Sequence, residues 1–233
     1  MKRPILAILA TIAALMTSLI SPIPSSAASD PGYTFFFLRS NGEPLGYHNC
    51  HPHAVLINPA NGTPAMVRAV RRALPQISQQ TGHQFYFAGL TNLAWDGPMA
   101  PGEQFATAPI RIGFSTAKRT RQLAGRTAGW TSVSQLSRAG RTELGRIRMV
   151  LDAGDYRAMT KRRVRMRAPE GKGSVPYAKW FRQSLIPHEF GHVLGLSHTS
   201  NTRQLMSPRV TAAGFQSGDL AGIARLNRGS CHR

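Results

Sequence analysis

Eleven residues constrain this chain more than any others: His188-Glu189-Phe190-Gly191-His192-Val193-Leu194-Gly195-Leu196-Ser197-His198. His188 and His192 are four positions apart, so on an α-helix their imidazoles lie one turn apart on one face and can grip one ion. Glu189 sits beside them rather than between, and its carboxylate can reach a water on that ion without taking a coordination site. Gly195 can adopt the left-handed conformation that ends a helix, after which the chain bends to bring His198 back as a third ligand. Three neutral imidazoles leave a fourth position open, the mark of a catalytic rather than a structural zinc. Five fixed positions coincide by chance on the order of once in a million starting points. The pattern predicts one Zn2+ held by His188, His192 and His198, with Glu189 as the catalytic base.

Lys2 and Arg3, the apolar run from Ile5 to Ile20, and Ser25-Ser26-Ala27-Ala28 read as a secretory signal peptide over residues 1–28. The run is interrupted by Thr11, Thr17 and Ser18 and is shorter than the roughly 18 to 20 residues a bilayer span needs. A secreted, extracellular product without a membrane span is expected, with a single domain over residues 29–233. Export makes a disulfide between the two cysteines, Cys50 and Cys231, the leading reading. It would stabilise the fold by about 5 kcal/mol if unstrained. The alternative is a lone Cys50 thiol that blocks a zinc.

Charge is lopsided, with 29 Lys+Arg against 10 Asp+Glu for a net +19, a field that recruits polyanions. Sixteen basic and four acidic residues fall between Arg111 and Lys172, including the run Lys161-Arg162-Arg163-Val164-Arg165-Met166-Arg167. Such a segment is either a solvated face or an attractor for an anionic cell-wall polymer or acidic substrates. Its runs lack interleaved aromatics, so nucleic acid is not an expected partner. His48, His51 and His53 crowd around Cys50 and read either as surface residues or as a second metal site.

Tyr33 to Arg39, Ala54 to Asn58, Gln84 to Ala88 and Ile110 to Phe114 read as strands. From Thr63 to Gly82 the apolar period becomes helical, with Pro75 expected to kink it. Ala128 to Leu136 and Arg146 to Asp152 pair as a hairpin. Asp152 to Val175 has no apolar period and reads as a functional loop. Val175 to Leu196 is helical in pattern, and Ser217 to Leu226 suggests a closing helix. The outline is α+β, one twisted mixed sheet with an N-terminal, an active-site and a C-terminal helix.

The extended histidine motif, followed eight residues later by Met206 in Leu205-Met206-Ser207-Pro208, resembles the metzincin zinc peptidases and within them the matrixins. Cys50, Asn58-Pro59, Thr81-Gly82 with Phe85, and Gly218-Asp219 with Cys231 are similar to secreted matrixin-like peptidases of actinobacteria. The resemblance implies a zincin-like fold and a Met-turn that sets Met206 beneath the metal. It also implies an extended substrate along an edge strand, here the hairpin around Ala128 to Ser134. Ser207, Pro208 and Arg209 would wall the pocket for the residue after the cleaved bond. Thr199 stands where matrixins usually have Ser, and Pro187 would kink or start the helix before His188. With the domain expected to begin at residue 29, no matrixin pro-domain is expected ahead of it. The acidic loops that hold calcium and a second zinc in animal matrixins have no counterpart among ten acidic residues, so one zinc and no dedicated calcium site are expected. The implied activity is a monomeric secreted zinc endopeptidase acting on protein or peptide substrates. The alternative is a secreted basic protein that binds polyanions or cell wall and keeps a zinc site without cutting.

Overall fold

A computed structural model describes residues 31–228, apart from residues 106, 139–140 and 169–170; the expected signal peptide and Cys231 lie outside the described residues. The chain runs β1 (Thr34–Phe35), β2 (His53–Ile57), α1 (Pro64–Thr81), β3 (Phe85–Leu90), β4 (Ile110–Ser115), β5 (Gly129–Arg138) and β6 (Arg141–Asp152). It continues through α2 (Ala153–Met159), β7 (Arg163–Ala168), β8 (Gly171–Pro176), α3 (Tyr177–Trp180), α4 (Ile186–Leu194), β9 (Leu196–Ser197) and α5 (Ser217–Asn227).

Five strands form one mixed sheet in the order β3-β2-β4-β6-β5. The first four are mutually parallel, and β5 closes the edge antiparallel to β6. β4 is buried along its whole length, as an inner parallel strand covered on both faces must be. β2 instead alternates, turning His53, Val55 and Ile57 inward.

Helix α1 begins where Thr63 Oγ1 accepts a hydrogen bond from Met66 N at 3.3 Å, a cap worth about 1 kcal/mol. Met66, Val70, Leu74 and Ile77 recur on its buried face, each contributing roughly 1.5 to 3 kcal/mol by leaving water. Pro75 does not end the helix, which runs on to Thr81. Pro75 and Arg71, whose carbonyl loses its partner, both face solvent, where water satisfies that group. The same core takes in Phe190 and Val193 of α4 and Ile223 and Leu226 of α5.

Three expectations are corrected. The segment between Asp152 and Val175 is no loop: Asp152 Oδ1 accepts from Asp155 N at 2.9 Å to cap α2, and β7 and β8 pair as an antiparallel hairpin. Val175 to Leu196 is not helical throughout, because Val175 belongs to β8 and Leu196 to β9. Between them the helix widens into a π-turn at Phe181–Leu185. Pro187 follows in the first turn of α4, and the widened turn accommodates its missing N–H. The aromatic stretch Tyr33 to Arg39 supplies only β1, since β9, its antiparallel partner, is itself two residues long. No helix among the described residues is long and apolar enough to cross a membrane.

Candidate active site

Helix α4 carries His188 and His192 one turn apart, buried to 4% and 6% exposure. Gly195 stops the helix with φ +114°, a conformation other residues rarely adopt. The chain then enters β9, where Thr34 pairs with Ser197 and Phe35 with Leu196. Thr34 Oγ1 also donates to the His198 carbonyl at 2.5 Å, so the short N-terminal strand pins the segment that returns the third histidine.

His188 Nδ1 lies 2.8 Å from the Leu205 carbonyl and His192 Nδ1 lies 2.8 Å from the Leu196 carbonyl. A carbonyl only accepts, so each Nδ1 carries the proton and each Nε2 presents a bare lone pair. His198 Nε2 stands 3.2 Å from both of those Nε2 atoms. Its single proton could satisfy one of them, whereas a cation at the centre satisfies all three. Tetrahedral zinc with bonds of about 2.0 to 2.1 Å separates its nitrogen ligands by about 3.3 Å, which matches this spacing. These three histidines form the one group of potential metal ligands brought together among the described residues. Burial holds His188 down at about 4 and His192 well below the usual histidine range, and it lowers His198 as well. All three are therefore neutral near pH 7, the form that ligates.

Glu189 is 3% exposed, and its carboxylate reaches across to β5. Thr131 Oγ1 donates to Glu189 Oε2 at 2.7 Å. The approach is so close that a Cβ on Gly129 would fall 2.6 Å from Oε1. Burial pushes Glu189 up to about 7, with the Thr131 hydrogen bond opposing; a cation alongside favours the ionised form. Neither Gly129 nor Thr131 is singled out by any local pattern, because the contact joins positions 58 residues apart.

Met206 is fully buried beneath α4, where a Cβ added to Gly191 would strike its sulfur at 2.2 Å. Asp219, also fully buried, fixes that turn. Its oxygens accept from Leu205 N at 2.8 Å, Met206 N at 3.1 Å and Gln216 N at 2.8 Å. In return Gln204 Oε1 accepts from the Gly218 and Asp219 amides at 3.0 and 3.2 Å. The carbonyl that orients His188 thus belongs to a residue whose amide is held by α5.

Histidines and glutamate sit on a cleft of about 680 Å³, walled by Ala128 to Thr131 on one side and Pro208, Arg209 and Val210 on the other. Phe36 caps the His192 ring with centroids 5.0 Å apart. Among the described residues strand β5 pairs only with β6, and none of them pairs with its other edge. Among the histidines crowded near Cys50, His51 is exposed but His53 is buried, contrary to a surface cluster. His53 stacks with Tyr47, His83 and Phe85 at 4.5 to 5.7 Å between centroids. Cys231 lies outside the described residues, so the expected disulfide has only its Cys50 end within them.

A comparison with curated proteins gave no match. A family model described as Matrixin, however, matches residues 60–227, from the approach to α1 through α5 and across the whole histidine site. That match covers well over half of the chain, and the chain belongs to the matrixin family.

Proposed function

We propose that this matrixin, a zinc metallopeptidase by family, is a secreted endopeptidase in which His188, His192 and His198 hold the catalytic zinc and Glu189 handles the proton. The reading rests on one observation, three Nε2 atoms converging at ligand spacing while the Nδ1 protons of His188 and His192 are occupied by backbone carbonyls. A bound zinc would polarise the scissile carbonyl and lower the pKa of water to about 7.

Glu189, on the wall of the same cleft, takes a proton from the attacking water and returns it to the leaving amine. Thr131 holds the carboxylate in one rotamer, which spares it a search at the moment of reaction. The free edge of β5 offers backbone groups to an extended peptide, which adds as a further strand. Pro208 and Val210, with Trp180 and Leu185 behind, give an apolar wall for the side chain that follows the cleaved bond. Trp180 Nε1 donates to the Val210 carbonyl at 2.9 Å and so holds that wall in place.

Purified protein, expressed with its first 28 residues so that export can remove them, is incubated with an unfolded protein with and without a zinc chelator. Internal cleavage that the chelator stops and added zinc restores is the expected result. Chelator-insensitive cleavage, or none from zinc-loaded protein, contradicts the proposal. Retention on an anionic resin without cleavage would favour a binding protein instead.

A further inference from the structure

The fold sorts the sixteen basic residues between Arg111 and Lys172 by what they touch. Arg111 is nearly buried in an ion pair, its Nη2 2.6 Å from Glu103 Oε2. Arg119 donates to Asn61 Oδ1, Arg157 to the Asn61 carbonyl, and Arg146 and Arg148 to the Gly97 carbonyl. Arg111, Arg146 and Arg148 thus fasten a loop to the sheet, and Arg119 and Arg157 hold the turn at Asn61. Arg126, Arg165 and Arg167 make no side-chain hydrogen bond or ion pair among the described residues, and the same holds for Arg209 further along the chain.

These four line two cavities that meet at consecutive residues, Val210 and Thr211. Arg126 and Arg209 face the catalytic cleft, where Glu189 is the one carboxylate among the described lining residues. Arg165 and Arg167 line a neighbouring groove of about 550 Å³ with Ser174 and Thr211. Two positions apart on β7, they project from the same face of the strand, roughly 7 Å from one another, while Met166 between them is buried in the core. Val210 lines the cleft and Thr211, the next residue, lines the groove. Arg167 N donates to the Thr211 carbonyl at 2.6 Å, so that junction is fastened to the hairpin that bears the arginines.

We infer that the groove on β7 and β8 continues the catalytic cleft beyond Pro208, and that the two together select polypeptides carrying acidic side chains on that side of the cleaved bond. The inference rests on the peptidase reading. Two features favour a polypeptide over an anionic polymer as the ligand. Free arginines stand inside the cleft where the cut chain must lie, and the groove adjoins that cleft through consecutive residues, Val210 in one and Thr211 in the other. Each exposed charge pair is worth a factor of about two to five in affinity. Three or four acting together give roughly tenfold or more, falling as salt screens them.

A mixed peptide library is digested with the zinc-loaded protein, and the new N-termini are sequenced. Asp and Glu should be enriched several-fold in the positions after the cut, and the enrichment should fade in about 0.5 M salt. At the positions farthest from the cut, which reach the groove, it should vanish in Arg165→Gln/Arg167→Gln and reverse toward Lys in Arg165→Glu/Arg167→Glu, while the part owed to Arg126 and Arg209 in the cleft remains. The wild-type salt series stands even if a variant fails to fold. A library cut without acidic preference overturns this inference alone, whereas a protein that cuts nothing removes the peptidase reading and this one with it. If zinc-loaded Glu189→Gln protein holds polyphosphate more tightly than deca-glutamate, and the library shows no acidic preference, the groove belongs to an anionic polymer and the inference is overturned.

Discussion

The molecule contains two groups of packed histidines, and they differ in where their nitrogens point. On α4 and the turn after it, His188 and His192 each place Nδ1 2.8 Å from a backbone carbonyl, and Nε2 faces a common centre. Near Cys50, His53 and His83 stack ring on ring at 5.7 Å. There His83 Nε2 meets Asn227 Oδ1 at 2.8 Å, while His53 Nε2 and His83 Nδ1 have no hydrogen-bond partner among the described residues. Burial depresses the pKa in both groups. Density, neutrality and a backbone hydrogen bond are therefore common to both, since His53 has one to His48; what separates them is that among the described residues only His188, His192 and His198 bring their ligand atoms together on one centre. The second group instead forms an aromatic wedge behind α4, passing through Phe85 to Phe190 at 4.9 Å.

The sharpest way to break this contrast is to remove one member of each group. His192→Ala should lose its zinc by metal analysis and fall to the uncatalysed rate, while His53→Phe should keep one zinc per chain and its turnover. Next in size, Asp219→Asn weakens the grip on Leu205 and so on the orienting carbonyl. Outer-shell changes of this kind lower metal affinity by about 10- to 100-fold, which competition with a fluorescent chelator would read. Thr131→Val should reduce kcat by roughly tenfold or more, the worth of a hydrogen bond to a charged group, with KM little changed and Thr131→Ser restoring most of it.

The smallest effect concerns acid stability. His53 is held down at about 3 and His83 at about 4, chiefly by burial. A histidine with a depressed folded pKa stays neutral in the native state while the unfolded chain gains a proton, so stability is lost as pH falls from about 6.5 toward 4. The slope is roughly 1.4 kcal/mol per pH unit for each such group. Denaturant unfolding of His53→Phe over that range should run flatter than wild type; equal slopes would mean that His53 is protonated in the native state.

The histidine triad is legible because an i, i+4 pair on a helix and a helix-ending glycine are local facts. Most of the sheet and α1 and α5 follow from apolar period for the same reason. The hairpin of β7 and β8 was not legible: Arg163, Arg165 and Arg167 alternate with only Val164 and Met166 turned toward the core, and its partner strand is rich in Gly and Ser. The π-turn at Phe181–Leu185 is a change of hydrogen-bond pattern that leaves the side-chain period almost intact. Thr131 on Glu189, and Asp219 on the Leu205–Met206 turn, are contacts between distant positions, and nothing in either stretch announces them. Asp219 was marked only through the family resemblance, and its three backbone hydrogen bonds now supply a physical reason for it.

Glu189→Gln tests the central claim most directly, with zinc content and cleavage of an unfolded protein measured on the same sample. One zinc per chain with cleavage reduced by about 10²- to 10⁴-fold, the contribution of a positioned proton carrier, is the predicted result. A zinc-loaded variant that cuts at the wild-type rate would contradict it.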